Sequence, residues 1–151
     1  MRSLTIRSEK LFDAQVHARH QYLTIKNRPE HVREIFKRHH GQMGISTVTW
    51  MELIYGAEKS ANPQRNLADI EGFAARLEML KYDPAAAART GQLRAELAKA
   101  GTPIGPYDQM IAGHARSQGL ILVSSNRREF DRVPGLRVED WVGPDAFAPM
   151  G

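Results

Sequence analysis

Gly101-Thr-Pro-Ile-Gly-Pro-Tyr-Asp108-Gln-Met-Ile-Ala-Gly-His-Ala-Arg-Ser-Gln-Gly119-Leu-Ile-Leu-Val-Ser-Ser-Asn126 is the stretch that decides the fold. Pro106 sits at a helix start, where its missing N–H is no loss. Gly119 stops that helix as a C-terminal glycine cap. Leu120-Ile-Leu-Val123 is then a continuous apolar run, the mark of a strand buried on both faces of a parallel sheet. Such a strand needs helices on both sides, so the chain reads as an α/β sandwich. The polar residues fall at the junctions: Asp108 where a loop becomes a helix, Asn126 where the strand does.

Upstream, the same grammar recurs in Ile45-Ser-Thr-Val-Thr-Trp-Met-Glu52-Leu-Ile-Tyr-Gly56. A buried strand is expected at 43–48 and a helix from about Trp50 to Lys59. Glu52 is its polar stop. An amphipathic helix follows from Arg65 to Leu80, with Leu67, Ile70, Phe73, Ala74, Leu77 and Leu80 on one stripe. A short strand is expected at 80–83. An alanine-rich helix runs from Ala85 to Ala100 and ends at Gly101. Residues 24–40 read as a helix opened by Pro29, and Leu136-Arg-Val138 as an edge strand. The tail from Gly143 is read as disordered.

In open α/β sheets ligands bind beyond the carboxyl ends of the strands. Glu52, Asp108 and Asn126 are oxygen donors at such positions, a set suited to a hard cation such as Mg²⁺. Each has a purely structural reading as well. Thr49 and Glu52 have capping-box spacing, Asp108 favours a helix dipole, and Ser124 to Asn126 can cap a helix. Their shared position at the start of a helix is what favours chemistry. His114 follows Asp108 by nearly two turns and need not face the same crevice. His17, His20, His39 and His40 have little around them to support a site. Trp50 and Trp141 read as packing residues.

The chain has 151 residues, no cysteine, and a formal net charge of +4. The length fits one domain. The missing cysteine excludes disulfides and thiolate chemistry. No apolar run spans a membrane, and the first residues lack a signal-peptide core, so a cytoplasmic protein is expected. The basic excess favours an acidic partner. Lys26, Arg28, Arg33, Lys37 and Arg38 form one basic group, and Arg127, Arg128 and Arg132 another beside Asn126.

Three motifs in order carry a family resemblance: Ser46-x-x-Thr49-x-x-Glu52, then Pro103-Ile-Gly-x-x-Asp108-x-x-Ile-Ala112, then Leu122-Val-Ser-x-Asn126-x-x-Glu-Phe130. This pattern resembles the PIN-domain ribonucleases, and among them the VapC toxins of toxin–antitoxin pairs. The Gly56-Ala-Glu-Lys-Ser60 and Arg94-Ala-Glu-Leu97 details resemble the subgroup that cuts initiator tRNA, tRNA(fMet), in its anticodon loop. The resemblance implies a three-layer α/β/α domain over residues 24–142. It also implies an endoribonuclease dependent on Mg²⁺ or Mn²⁺, a VapB-type antitoxin and a homodimer. Glu52 and Asp108 would hold metal, Asn126 would orient water, and Arg127 and Arg128 would contact RNA. A catalytically dead antitoxin binder is the alternative. A receiver-like phosphoacceptor ranks last, since it needs an early acidic pair and a late lysine.

One expected element is missing. The family opens on a strand ending in Asp-Thr-Asn, whose Asp is a metal ligand, and segment 11–23 shows no strand alternation. Asp13 is the nearby acid, without the Thr-Asn. Read one base out of frame from Asp13, however, the codons allow Met-Leu-Lys-Phe-Met-Leu-Asp-Thr-Asn-Ile. Only third bases are free in that reading. Residues 1–23 are therefore expected to be an aberrant segment in which 13–23 are a VapC start read out of frame, preceded by upstream sequence. A first strand abnormal or absent, and weak activity, are expected to follow.

Overall fold

The computed structural model describes residues 4–6, 10–13, 41, 43–124 and 126–140. The expected helix at 24–40, the first basic group, His17, His20, His39, His40, Trp141 and the tail lie outside the described residues. In chain order the elements are β1 (Leu4–Ile6), β2 (Lys10–Asp13), β3 (Met43–Ser46), α1 (Thr47–Glu58) and α2 (Pro63–Ala74). Then come β4 (Glu78–Leu80), α3 (Pro84–Ala100), α4 (Pro106–Gln118), β5 (Ile121–Val123), α5 (Arg127–Phe130) and β6 (Val138–Glu139).

β5 pairs in parallel with β2 on one side and β6 on the other. β1 turns back antiparallel on β2, and β3 pairs in parallel with β4. The slot beside β5, which the sequence reading left without a strand, is taken by Lys10–Asp13. Asp13 ends that strand opposite Val123. The parallel strands therefore end together, and three of their exits lead toward α1, α3 and α5.

Helix boundaries follow local chemistry where it is strong. Asp83 Oδ1 accepts the Ala86 N–H at 2.9 Å, Pro84 opens α3, and Gly101 closes it at φ 71°. Gly119, at φ 64°, closes α4 in the same left-handed way. Several boundaries differ from the sequence expectation: the short strand lies at Glu78–Leu80 rather than 80–83, the edge strand at Val138–Glu139 rather than 136–138, and two helix ends move. α1 starts at Thr47 because Ser46 Oγ takes the Val48 N–H at 3.1 Å, three residues before the predicted start. α2 stops at Ala74, although Ala75-Arg-Leu-Glu-Met-Leu80 are all good helix formers. The next residues pair instead with β3, Ile45 opposite Met79 and Ser46 opposite Leu80. Tertiary pairing overrides helix propensity there.

Two apolar clusters hold the layers. One centres on Leu93, Leu97, Ile111, Leu122 and Phe130, between α3, α4 and β5. The other joins Ile45 of β3 to Leu53 and Ala57 of α1 and Ile70 of α2. α3 and α4 touch through Gly113: a Cβ there would lie 2.7 Å from Thr90 Cα and 2.8 Å from its N. These are backbone atoms, so a flexible side chain cannot give way. Gly113→Ala is expected to cost about 3 kcal/mol by overpacking. Gly91→Ala on α3, where nothing lies within 4 Å of the new Cβ, is expected to add about 1 kcal/mol through helix propensity. Urea unfolding midpoints of the two variants check the pair, and an unaffected Gly113→Ala would refute the close helix contact.

Candidate metal-binding carboxylate site

Asp108 lies in the first turn of α4 and is buried, at 5% exposure. A helix N-terminus favours a negative charge there by roughly 0.3–1 kcal/mol. Burial, and a hydrogen bond from carboxyl to carboxyl with Glu129, win over that dipole: they push Asp108 far above the ordinary carboxylate range, with the charges of Glu129 and Glu52 adding. Ionising Asp108 beside another carboxyl, out of water and without a counter-charge, is costly, so Asp108 keeps its proton.

Glu52 reaches the same place from α1. Its Oε1 is buried and has no hydrogen-bond partner. Burial raises its pKa from 4.5 to about 7. The capping-box reading of this residue fails, because Thr49 is inside α1 and Ser46 is the cap. Asn126 stands at the N-cap position of α5 but makes no side-chain cap bond. Its amide Nδ2 instead donates to Glu129 Oε2 at 3.4 Å, and its N–H donates to Ser124 Oγ at 3.0 Å.

The structure thus brings Glu52, Asp108 and Asn126 to one crevice and adds Glu129, which the sequence reading left out of the site. The signal was present in the quoted motif Asn126-x-x-Glu-Phe130. Glu129 lies on a four-residue helix, too short for periodicity to say which way it faces. Arg127 and Arg128 are exposed on that helix, Arg127 3.5 Å from Asp131. Arg132 turns away, donating to the Pro103 carbonyl at 3.0 Å. His114 points into the core rather than into the crevice and bonds to Ser46.

Among the described residues no three His, Asp or Glu side chains lie together as a group that could hold a metal ion. What is present is an acid pair, Asp108–Glu129, with Glu52 within range of its charge. The donor chemistry of the pair suits a divalent cation. Hard oxygen donors are what Mg²⁺ and Mn²⁺ take, an orphaned buried carboxylate oxygen is relieved by one, and the proton held by Asp108 is displaced by one. No helix among the described residues is long and apolar enough to cross a membrane.

The profile of the PIN domain matches residues 11–136. A tRNA(fMet)-specific endonuclease VapC of Salmonella typhimurium is 65% identical over 118 residues, covering 78% of this chain and 89% of the relative. Its Shigella flexneri counterpart is 67% identical over the same shares. Among solved structures, DNA-bound VapBC from Salmonella typhimurium superposes with a TM-score of 0.79 at 60% identity, over 86% of this chain and 97% of the other.

Buried acids set a pH dependence. Glu52 holds its proton to about pH 7 in the folded chain, against 4.5 when unfolded. The folded state therefore binds more protons between those values. Without metal, stability is expected to fall as pH rises through that window, most of the Glu52 share being lost above it. Urea midpoints in EDTA at about pH 5 and about pH 8 should differ in the wild-type chain and differ less in Glu52→Gln. An equal pH response in both would sink the assignment.

Proposed function

This chain belongs to the PIN-domain family, and on that premise we propose that it is the toxin of a VapC-type toxin–antitoxin pair, a metal-dependent endoribonuclease that cuts initiator tRNA. The observation that carries this reading is the carboxylate cluster: buried Asp108 beside Glu129, with the orphaned Glu52 Oε1. It lies in a chain 65% identical to a tRNA(fMet)-specific endonuclease. We assign Mg²⁺ or Mn²⁺ as the cofactor, a VapB-type antitoxin as the partner, a homodimer as the assembly and the cytoplasm as the location.

Asp108 and Glu129 would hold the cation, which would supply charge neutralisation at the phosphate and activation of a water. The chain's own groups set up the rest. Glu52 Oε1, without a hydrogen-bond partner, is the oxygen free to orient an attacking water. Asn126, through Nδ2, keeps Glu129 Oε2 turned into the crevice. Arg127 and Arg128, exposed beside it, offer their guanidinium groups to the RNA backbone. Asp108→Asn is expected to lower cleavage of initiator tRNA by roughly 100-fold or more with the fold retained by circular dichroism. Cleavage at the wild-type rate would overturn the assignment.

Residues 13–23 carry a second part of the reading. Asp13 ends β2 opposite Val123, in the register where the family's first aspartate is expected, yet it is followed by Ala-Gln rather than Thr-Asn. The out-of-frame codons allow the full apolar strand and Asp-Thr-Asn. We infer that the toxin's opening strand is encoded here one base out of frame. The frame-restored chain is expected to cleave tRNA on the order of 100-fold faster than this one, and sequencing across codons 13–23 tests the codons directly. Equal rates would refute the damage. Silence of both chains with retained antitoxin binding would favour a dead binding protein.

A further inference from the structure

One hydrogen bond and one charge interaction relate α1 to α4, and they lie at opposite ends of the pair. At one end Ser46 Oγ and His114 Nδ1 are 2.9 Å apart, both residues at 0% exposure. At the other the charge of Glu52 bears on Asp108. Glu52 follows Ser46 by six residues and His114 follows Asp108 by six. The start of each helix therefore meets the middle of the other, so the two run antiparallel past each other. Six residues span about 9 Å of helix axis, which places the Ser46–His114 pair about that far behind the carboxylates.

Ser46 Oγ accepts the Val48 N–H at 3.1 Å as the cap of α1 and has a second lone pair. Gln118 Nε2 lies 3.4 Å from His114 Nε2, so its amide N–H donates to that bare ring nitrogen. The ring proton of the neutral imidazole then sits on Nδ1 and is donated to Ser46 Oγ. Tyr82 packs edge-on to the imidazole at 5.7 Å and its hydroxyl lies 2.8 Å from Thr90 Oγ1. Burial lowers the His114 pKa to about 4, so the ring stays neutral while the crevice works.

A core histidine satisfied by its own helix would contribute stability and nothing more. This one bonds the cap of the helix that carries Glu52, from the helix that carries Asp108. We propose that His114 is a positioning residue: through Ser46 it fixes the separation of α1 and α4, and with it the distance from Glu52 to the Asp108–Glu129 pair. Its consequence for metal binding rests on the function proposed above; its consequence for helix spacing does not.

The chain has no cysteine, so spin labels placed at Met51→Cys and Tyr107→Cys are the sole labels. Both positions are exposed, at 42% and 49%, and each adjoins a crevice acid. Dipolar EPR on the metal-free full chain then reads the α1–α4 spacing. His114→Phe is expected to shift or broaden the distance distribution and to weaken Mn²⁺ uptake in equilibrium dialysis by roughly tenfold. His114→Asn, whose side-chain amide can donate to Ser46 Oγ, is expected to restore most of both. A purely structural role predicts the reverse order, since Asn leaves a cavity and Phe does not. Should His114→Phe fail to fold, Ser46→Ala breaks the same pair from the other side and is read in the same way. An unchanged distance distribution in a folded variant overturns the inference. A wild-type chain that takes up no Mn²⁺ overturns the metal reading of the crevice alone.

Discussion

Everything at the functional end of this fold depends on keeping like charges together and partly out of water. Asp108 and Glu129 are in direct hydrogen-bond contact, and Glu52 adds its charge from the side. Left to itself this arrangement is costly. Buried carboxylates without a counter-charge either take up protons or push apart. The scaffold therefore has to supply rigidity that these residues could not supply for one another. A site of this kind is stable in its ionised form only with a cation or a positively charged partner, which makes it receptive to both.

The rigidity has identifiable sources. β5 is fully buried and paired on both sides, so its exit toward Asn126 is fixed. α4 is held to α3 by the close approach at Gly113, and capped by Gly119 so that the chain re-enters the sheet at once. α1 is anchored twice, by Ser46 at its cap and by Thr47, whose hydroxyl accepts the Tyr82 N–H at 3.1 Å. The Ser46 contact is buried and the Thr47 contact half-buried, where a hydrogen bond left unmade is expensive. They constrain the helix positions more sharply than apolar packing alone, which tolerates sliding.

Much of this was legible in the sequence because the signals are local. Pro106, Gly101 and Gly119 mark helix ends through their own backbone chemistry, and Leu120-Ile-Leu-Val123 marks a doubly covered strand. Glu52, Asp108 and Asn126 stood out for their position. Glu129 did not, because a single turn of helix has no readable face. Ala75 to Leu80 misled for a different reason: their helix propensity is real, and a pairing with β3 across more than thirty residues of chain outweighs it. His114 was silent, since one histidine on an apolar face says nothing about a serine far away in sequence.

The sequence alone determined most of the element types, the family resemblance and three candidate site residues, because caps, apolar runs and motif spacing act over a few residues. The out-of-frame reading of residues 13–23 likewise comes from the codons rather than from any contact. Only the tertiary structure decided that Glu129 joins the acidic cluster, that Glu52 caps nothing and keeps a bare oxygen, and that Lys10–Asp13 fills the strand position beside β5. It alone decided that His114 reaches back to the cap of α1. Each of these depends on which distant segments meet. That is set by the burial of the whole core, to which no local stretch of sequence has access.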